Sequence, residues 1–585
     1  MPTVTFDHDT IATIQAKHGV EHDPRLWEAQ LSNIGCVVEE CDSRNIEIEI
    51  FPDRADLLSP ETMAHAARAF LHDKGAEPDL ATIDGGVTME VDPSLKDVRP
   101  IILGAIVRGV DNGATPEEND TFIQALMDHQ EKLHFSLGRR RRRASIGVHD
   151  LATLVPPFRV VTVAESHTFI PLAMEKHMSV KEILEHHPKG VDYAHLLEGF
   201  TRFPVILDAL DRVLSFPPII NGDHTTVTES TTDFFIDVTG WDERACEASL
   251  LLVCLAFAAR GGTVETIEIT DCNQQIFRSP NGKARRVSLP KGLLKEILGR
   301  EFSRLEIQTA IGRMGGRFIE ARTVTDGPRI AERMAETAVG EQEYIFEMPR
   351  WRADLLHPVD LVEEIATGVG YEDLGSALSS QSKAGIPLPT CHLHRRIRES
   401  LQANGLQQVT SLTLSNESDQ FEKIRYKPDS EVTTLHNPIT VDHTIMRQSI
   451  TPSLLNLLSA NRHHELPQRV YELGTVVRDH HNSERVAWAC AEVGTGFTAA
   501  KGLTQALLRD LGAYSREMDV TFEALEGDSA YLEGRGSKVL VDGQWVGCFG
   551  EIDPAVSEQF GLKVPIQAGE FDVGKIAGII PDPIL

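Results

Sequence analysis

The sequence predicts a multidomain α+β protein, and three observations lead to that fold class. The chain has 585 residues, which at about 100–200 residues per domain corresponds to several domains. Hydrophobic residues make up 41% of the chain and charged residues 25%, as in an ordinary globular protein. Helical and strand-like patterns also recur in mixed order along the chain, which favours compact α+β domains.

The first segment, residues 1–85, is predicted to be a small α+β module. Three isoleucines alternate with two glutamates over residues 46–50, the pattern of a half-buried strand. Ser59 and Pro60 then supply an N-cap and a proline for the first turn of a helix that runs through Phe70.

The second segment, residues 86–270, carries strand-like stretches at 98–110, 213–220 and 233–239, between a helix near 119–134 and an apolar helix near 244–259. The longest apolar run, Leu250–Ala259, is about half the ~20 residues needed to cross a bilayer. We therefore predict a buried helix there and no transmembrane segment.

The third segment, residues 271–375, contains two predicted helices around a turn over residues 286–316. Ser303 and Glu306 form a capping box ahead of the second helix. The pair is similar to a helix-turn-helix. We favour two amphipathic helices in a small core over a DNA-reading unit, because the second helix carries few basic side chains.

The fourth segment, residues 376–585, begins with a predicted helix over His392–Ala403. Strand candidates follow at 409–415, 469–479 and 537–552. An antiparallel sheet with helices on one side suits this order.

Charge and cysteine content exclude several classes of protein. The net charge of −30 cannot steer the whole chain to a polyanion, so any contact with nucleic acid has to be local. Eight cysteines without a C-x-x-C pair argue against a zinc site and against a disulfide framework. The start of the chain lacks the basic and apolar blocks of a secretory signal, and we expect a cytoplasmic protein.

Motifs for stand-alone nucleotide chemistry are missing from the sequence. It contains no phosphate-binding G-x-x-x-x-G-K-[ST] loop, no G-x-G-x-x-G after a strand and no H-E-x-x-H pair. The three His-His pairs lack acids or cysteines at metal-ligand spacing and are interpreted as surface residues.

The densest acidic cluster lies in residues 352–371 and comprises Asp354, Asp360, Glu363 and Glu364. Mg²⁺ prefers carboxylate oxygens and keeps several waters, so one or two of these acids could suffice. Asp360 and Glu363 also have the D-x-x-E spacing of a helix start. On the residues alone we favour the capping interpretation.

A basic run, Arg139–Arg143, lies between Gln130 and His134 on one side and His149 on the other. Arginine suits phosphate because its planar fork donates two parallel hydrogen bonds and stays charged. A run this short, taken alone, is more often a solvated surface.

Taken together and in order, several stretches resemble the β subunit of phenylalanyl-tRNA synthetase of the archaeal and eukaryotic cytosolic type. These are FPDRADLLSPE (51–61), QEKLHFSLGRRRRRASIGVHDL (130–151), VLSFPPIING (213–222), DFFIDVTG (233–240), RADLLHPVDLVEEIATGVGY (352–371), HNPITVDHTIMRQSITPSLLNLLSANR (436–462), LPQRVYELGTVV (466–477) and GEIDPAVSEQFGL (550–562). They span nearly the whole chain.

The resemblance implies a class II aminoacyl-tRNA synthetase, an α₂β₂ enzyme that uses ATP and Mg²⁺ to attach phenylalanine to tRNA(Phe), with the adenylate-forming site on the α subunit. It divides the chain into an N-terminal module (1–85), an editing domain (86–270), a small helical domain with the acidic motif (271–375) and a catalytic-like domain of class II fold (376–585). The last should be inactive, since it lacks a convincing F-R-x-E motif and the Gly-rich arginine motif that bind ATP.

The resemblance also implies two sites. The acids Asp354, Asp360, Glu363 and Glu364 match a magnesium site shared with α, although not all four should bind one ion directly. The pocket that hydrolyses mischarged Tyr-tRNA(Phe) is expected to be lined by Gln130, Arg141, Ser215, Asp237 and Thr239, with His134 nearby.

The roles within that pocket are hypotheses. We expect Asp237 or Ser215 to bind the phenolic hydroxyl, Arg141 to bind the terminal phosphate, and Gln130 or Thr239 to position water. Because no Ser-His-Asp arrangement is evident, substrate-assisted attack by water is the simpler expectation.

Two other classes of function stay open at this point. One is a stand-alone nucleic-acid-binding regulator that uses the helix pair 290–314 and the arginine run, which the net charge disfavours. The other is an independent ester hydrolase, which would need its own activated nucleophile. The expected partners are the α subunit and tRNA(Phe), with no membrane and no DNA.

Overall fold

A computed structural model describes residues 2–72, 74, 77–113, 115–325, 337–375, 384–527 and 530–580. The chain divides into two compact units, Met1–Leu378 and Ser379–Leu585. The predicted boundary at residue 376 opens the stretch 376–383, which lies outside the described residues.

The N-terminal module is a three-stranded sheet of order β1-β3-β2 with three helices. Its elements are β1 Thr3–Asp7, α1 His8–Lys17, α2 Pro24–Gln30, β2 Cys36–Cys41, β3 Asn45–Ile50 and α3 Pro60–His72. The isoleucines of β3 are buried and its glutamates are not, and the Ser59 hydroxyl accepts from the Thr62 N–H at 3.2 Å at the start of α3. Both predictions for this segment are confirmed.

The second region is built on a ten-stranded mixed sheet, with β12-β11-β10-β7-β4-β14-β5-β13-β6 as its path and β15 paired to β14. Its elements are β4 Ile83–Val91, β5 Ile101–Arg108, α4 Pro116–Phe135, β6 Ala144–Asp150, β7 Phe158–Val163, β8 Thr168–Phe169, β9 Met178–Ser179, α5 Val180–His186, α6 Pro188–Tyr193, β10 Phe203–Leu207, β11 Val213–Phe216, β12 Ile220–Asn221, β13 Phe234–Gly240, α7 Glu243–Ala259, β14 Thr263–Thr270 and β15 Ile276–Ser279. The predicted apolar helix is α7, which is buried nearly all round.

The third region is a three-stranded sheet of order β16-β18-β17 covered by helices. Its elements are β16 Arg285–Pro290, α8 Lys291–Leu298, α9 Arg304–Arg313, β17 Arg317–Thr323, β18 Gln342–Met348 and α10 Pro358–Val369. The capping box of Ser303 and Glu306 is present. The predicted helical start near 286 is wrong, because residues 285–290 pair with β18 and the helix begins only at Lys291.

The second unit is a seven-stranded sheet of order β19-β22-β23-β27-β26-β25-β24, antiparallel except for the pair β19 and β22. Its elements are α11 Pro389–Ala403, β19 Gln407–Gln408, β20 Leu414–Ser415, β21 Ile445–Met446, α12 Thr451–Ala460, β22 Gln468–Arg478, β23 His481–Ala491, α13 Phe497–Asp510, β24 Val520–Ala524, β25 Tyr531–Val541, β26 Gln544–Ile552, α14 Pro554–Gln559, β27 Ile566–Asp572 and α15 Val573–Ile579. The α+β class and the antiparallel sheet are as predicted.

One strand prediction in this unit fails. The stretch 409–415 pairs as a strand only at Leu414–Ser415. Its polar groups have other partners: the Ser411 hydroxyl donates to Glu472 at 2.5 Å, and the Thr413 carbonyl accepts from the Arg447 N–H at 2.9 Å. The chain here supports a buried arginine instead of extending a sheet.

Candidate functional site

A cavity of about 390 Å³ opens in the ten-stranded sheet region, bounded by α4, β6, β11 and β13. Its wall combines apolar side chains of α4 with polar groups of β6, β11 and β13. A largely apolar pocket with a few convergent polar groups is the usual form of a small-molecule site.

Four of the six residues expected in one pocket line this cavity. They are Gln130, Arg141, Ser215 and Asp237. The Ser215 hydroxyl is buried and forms no hydrogen bond within the described part of the chain. It is therefore available to a bound molecule.

The other two expected residues lie behind the wall. His134 is buried, and its Nε2 accepts from the Ile146 N–H at 2.8 Å, which ties β6 to α4. Burial lowers the pKa of His134, so the ring stays neutral. The Thr239 hydroxyl is fully buried and accepts from Arg99 Nε at 2.7 Å, with Ser145 between it and the cavity.

A buried chain of hydrogen bonds fixes Asp237. His149 Nε2 lies 2.8 Å from Asp237 Oδ1, and His149 Nδ1 lies 2.9 Å from the Thr225 hydroxyl. That hydroxyl also lies 2.9 Å from the Gly222 carbonyl, which can only accept. The Gly222 carbonyl already accepts from the Thr225 N–H at 3.1 Å, so the Thr225 hydroxyl can donate to His149 Nδ1, and His149 Nε2–H then donates to the Asp237 carboxylate.

On strand β6, the residue paired with Asp237 is Gly147. A Cβ at this position would lie 2.3 Å from Asp237 Oδ1 and 2.8 Å from His149 Nε2. Only glycine leaves room for the aspartate and the histidine to meet. The second carboxylate oxygen of Asp237 has no hydrogen-bond partner among the described residues, and Asp237 faces the cavity.

Arg141 holds the cavity wall together. Its guanidinium donates to the carbonyls of Pro218 and Ile219 at 3.2 and 2.9 Å and to Glu131 Oε1 at 2.6 Å. It also lies over the Tyr193 ring, 4.5 Å from its centre. These contacts join α4, the loop between β11 and β12, and the end of α6, so they leave Arg141 few donors for a phosphate.

The other four arginines of the run are exposed. They belong to a tight turn between α4 and β6 in which Arg139, Arg140 and Arg141 all have positive φ, at 48°, 54° and 64°. The turn is fixed from below by Arg99, which donates to the Arg141 carbonyl at 3.1 Å, to the Thr239 carbonyl at 2.8 Å and to Ser145 at 3.0 Å. Burial lowers the pKa of Arg99 to about 10.

The sequence did not single out His149, Thr225, Gly147 or Arg99 for this site. His149 and Gly147 stand in the predicted strand that follows the arginine run, two residues apart and so on one face of it. This two-residue spacing was the one sequence pattern that could have placed Gly147 and His149 at the same site. Thr225 and Arg99 reach the cavity from distant parts of the chain, so no local pattern marks them.

The acids of the 352–371 stretch also lie along one cavity, of about 360 Å³. Arg352, which is 3% exposed, donates to Asp354 at 2.6 and 3.0 Å and to both oxygens of Glu364 at 2.7 and 2.8 Å. Asp360 accepts from the backbone N–H groups of Leu356 and His357 at 2.5 and 2.7 Å.

Helix α10 therefore begins two residues before Asp360, and Asp360 caps it from the third helical position. The expectation that Asp360 and Glu363 together form the helix start is wrong in detail. Glu363 is exposed and forms no hydrogen bond or ion pair with the described residues.

The acids fit a hydrated divalent cation better than an enclosed one. Within the described ranges, no three His, Cys, Asp or Glu side chains converge to hold a metal ion. Asp354 and Glu364 already share hydrogen bonds with Arg352, whereas Glu363 and one oxygen of Asp360 remain available. Mg²⁺ that keeps most of its waters needs only one or two such carboxylates.

The second helix of the pair 290–314, α9, carries two arginines, and both contact other parts of the same fold. Arg313 donates to the carbonyls of Phe70 and Gly368, at 3.2 and 2.7 Å. Arg304, the other arginine of α9, lies over the Phe318 ring. The helices pack against their own sheet, which is the core interpretation favoured above.

Among the described residues, no helix is long and apolar enough to span a bilayer. The cysteines of the chain are free.

Three family models match the chain: "B3/4 domain" over residues 99–251, "tRNA synthetase B5 domain" over 287–371 and "Phenylalanyl tRNA synthetase beta chain CLM domain" over 377–573. The phenylalanine–tRNA ligase β subunit of Archaeoglobus fulgidus is 36% identical over 579 residues, covering 98% of both chains. That of Methanothrix thermoacetophila is 38% identical, covering 90% of this chain and 92% of the relative.

Among solved structures, an N-terminal fragment of the phenylalanyl-tRNA synthetase β subunit from Pyrococcus horikoshii matches 63% of this chain and 100% of the fragment. The TM-score is 0.54 and the sequence identity 26%.

Proposed function

Because the chain belongs to the phenylalanyl-tRNA synthetase β-subunit family, we propose that it joins an α subunit in a cytoplasmic α₂β₂ enzyme. The enzyme attaches phenylalanine to tRNA(Phe) with ATP, and the β chain hydrolyses mischarged Tyr-tRNA(Phe). We assign editing to residues 86–270, the acidic motif to 271–375 and an inactive class II fold to 376–585, after an N-terminal module of residues 1–85.

The editing proposal depends above all on Asp237, a buried carboxylate that faces the 390 Å³ cavity with one oxygen unpartnered. The aminoacylation site binds phenylalanine in an apolar pocket and rejects tyrosine weakly, because an apolar pocket discriminates only about 10²-fold against an added hydroxyl. A second pocket built to bind that hydroxyl discriminates far more strongly. Phenylalanine would leave the Asp237 oxygen buried without a partner.

In this mechanism the tyrosine phenol donates to the free oxygen of Asp237 and accepts from the Ser215 hydroxyl. His149 keeps the carboxylate in place through the 2.8 Å contact. The ammonium and ester of the substrate then lie nearer the cavity mouth, where Glu131 and Lys189 form part of the lining.

Water is the nucleophile. Ser215 forms no hydrogen bond with a base in the described chain, so an acyl-serine intermediate has no support. Gln130 donates to the Ile146 carbonyl at 2.7 Å, which leaves its amide oxygen to orient a water. Thr239 is a poorer choice because Arg99 and Ser145 occupy its hydroxyl.

The exposed arginines of the turn contact the tRNA end, and Arg141 shapes the pocket. This assignment moves the phosphate-binding role from Arg141 to Arg139, Arg140, Arg142 and Arg143, whose side chains are accessible. A local basic edge is enough for a chain of net charge −30, since contacts to phosphate act at short range in salt.

Asp237→Ala in the α–β complex tests the editing proposal. Deacylation of Tyr-tRNA(Phe) should fall by at least about 100-fold, as expected when a buried hydrogen bond to the substrate is lost, while the rate of Phe-tRNA formation is unchanged. Asp208→Asn is the matched control, because Asp208 is a buried aspartate of the same sheet region that does not line the cavity. Unchanged deacylation in Asp237→Ala would show that editing occurs elsewhere.

For charging, Asp360 and Glu363, with Asp354 beside them, are the residues that would hold Mg²⁺ near the α subunit. The ion would neutralise charge during ATP chemistry on α, and the β residues would only anchor its water shell. Glu364 stays with Arg352.

Glu363→Gln should raise the Mg²⁺ concentration that gives half-maximal charging, without changing Tyr-tRNA deacylation. Glu372→Gln is the matched control, since Glu372 is an exposed acid just beyond α10 that does not line the acidic cavity. An identical Mg²⁺ requirement in wild type and Glu363→Gln would exclude Glu363 from the metal site.

A further inference from the structure

The second unit contains a cavity of its own, of about 300 Å³. It lies on the face of the seven-stranded sheet formed by β23, β26 and β27, beside a π-helical turn at Ser418–Glu422. The editing and acidic cavities are in the other unit, so this one is separate from both proposed sites.

The floor of this cavity carries an arginine that is buried and yet unsatisfied. Arg485 is 5% exposed and donates no hydrogen bond to any described residue, although a guanidinium has five N–H donors. Its charge is balanced only at longer range, with Glu570 at 3.8 Å and Asp572 at 3.6 Å. Its Nε is buried without a partner, whereas buried polar groups are nearly always hydrogen-bonded.

A second buried arginine in the same unit shows what a structural role looks like. Arg447 is 1% exposed and donates to the Thr475 carbonyl, the Ser411 hydroxyl and Glu472 Oε1 at 2.9, 2.7 and 2.7 Å. The fold can therefore satisfy a buried arginine fully. Arg485 differs because its donors face the cavity.

Only one of the two carboxylate oxygens of Glu570, next to Arg485, accepts hydrogen bonds. Its Oε2 accepts from the hydroxyls of Ser449 and Thr451 and from the N–H groups of Ile450 and Thr451, at 2.5–3.1 Å. Its Oε1 is buried without a hydrogen bond. A donor and an acceptor of opposite charge thus stand unoccupied, 3.8 Å apart, at one end of the cavity.

The neighbouring phenols and the neighbouring thiol do not add charge to this end of the cavity. Burial raises the pKa of the Tyr426 and Tyr531 phenols well above their usual range, and that of the Cys548 thiol to about 11. They stay neutral, so the ion pairs of Arg485 with Glu570 and Asp572 dominate the electrostatics of the floor. Toward the mouth, Arg478 is paired with Asp429 at 2.7 Å.

We propose that this cavity binds a free α-amino acid with an apolar side chain, its carboxylate on Arg485, its ammonium on Glu570 Oε1 and its side chain among Phe421, Tyr426 and Trp545. A carboxylate matches the planar fork of arginine, and the short separation of the two protein charges matches the adjacent charges of a zwitterion. The volume lies at the lower end for ligand pockets, which suits an amino acid and excludes a nucleoside triphosphate.

Binding here involves no chemistry on the ligand, since the unit lacks the arginine and glycine motifs for ATP. A ligand that occupies only the native state stabilises it. The site would make the stability of this unit depend on the supply of an amino acid.

The test uses the full 585-residue chain with glycine, L-leucine and L-phenylalanine as probes. Acetate, which has only the carboxylate, and ethylammonium, which has only the ammonium, serve as half-ligand controls. Thermal unfolding and the fluorescence of Trp545 are the readouts. Leucine and phenylalanine should raise the unfolding midpoint and change the fluorescence, glycine should act more weakly, and neither half-ligand should match them. Trp545→Phe should remove the fluorescence change and retain the stabilisation.

Arg485→Met should weaken the amino-acid response by about tenfold or more, as expected when hydrogen bonds to a charged group are lost. It should lower the unfolding midpoint of the ligand-free chain much less than the matched variant Arg447→Met. Arg485→Lys, which keeps the charge and loses the fork, should respond weakly.

Three results would overturn the proposal. The first is the absence of any response to the amino acids, and the second is an acetate response equal to that of leucine, which would make the site an anion site. The third is an unimpaired response in Arg485→Met.

Discussion

The contact between Asp237 and His149 can be broken without changing either residue, by Gly147→Ala. The added Cβ would lie 2.3 Å from Asp237 Oδ1 and 2.8 Å from His149 Nε2, where unstrained contacts are about 3.4 Å or longer. One of these buried side chains has to move by about 1 Å, and the 2.8 Å hydrogen bond between them is lost.

The expected cost has two parts. A hydrogen bond to a charged group contributes about 1.5–3 kcal/mol, and overpacking a core position costs about 1–3 kcal/mol. Gly147→Ala should therefore lower the free energy of unfolding of the chain by about 2.5–6 kcal/mol. It should also reduce Tyr-tRNA(Phe) deacylation, because Asp237 is displaced, and leave phenylalanine charging intact.

Urea unfolding and the two tRNA assays on the α–β complex measure these effects. Gly312→Ala is the matched control: that glycine lies inside α9 with open space around it, and alanine there should stabilise by about 0.5–1 kcal/mol. Wild-type stability together with wild-type deacylation in Gly147→Ala would refute the packing described for this site.

Other predictions concern buried charge. Burial lowers the pKa of His129 to about 3, so the stability associated with this neutral ring is complete above pH 6.5. The free energy of unfolding should then fall by up to about 1.4 kcal/mol per pH unit as the pH decreases toward 3. His129→Leu should reduce this pH dependence, measured as urea midpoints, and an unchanged dependence would contradict the prediction. Arg352→Met should cost about 3–5 kcal/mol by leaving Glu364 unpaired, and adding Glu364→Leu should restore much of it; equal midpoints for the single and double variants would argue against the pair. Arg99→Met should impair deacylation but not charging, since it removes the support of the arginine turn, and normal deacylation would place that support elsewhere.

Local patterns in the sequence predicted the elements that depend on local physics. Alternation predicted the strand at 45–50, capping residues predicted the helices after Ser59 and Ser303, and the apolar run predicted the buried helix α7. In each case neighbouring residues contain the information. The stretch 286–290 was mistaken for helix because its conformation is set by pairing with β18, some 55–60 residues away.

The candidate site was predicted in part for the same reason. Motif resemblance indicated Asp237 and Ser215, which line the cavity. The partner that fixes Asp237 is His149, 88 positions away in the sequence. No sequence pattern near either residue predicts the contact. Arg141 also lines the cavity, but one of its nitrogens donates to two carbonyls that only the folded loop brings to it, and another donates to Glu131.

In the proposed function, the turn that carries the arginines links RNA binding to the folding free energy of the RNA-free protein. Three consecutive non-glycine residues, Arg139 to Arg141, have left-handed backbone conformations, at a cost of about 1–2 kcal/mol each. The guanidinium groups of the four exposed arginines of the run also repel one another. A disordered basic tail would instead lose conformational entropy each time it bound RNA. The arginine turn is instead ordered during folding, so a bound phosphate only relieves the repulsion between the guanidinium groups. By reciprocity, the RNA-bound protein would resist unfolding more than the RNA-free one.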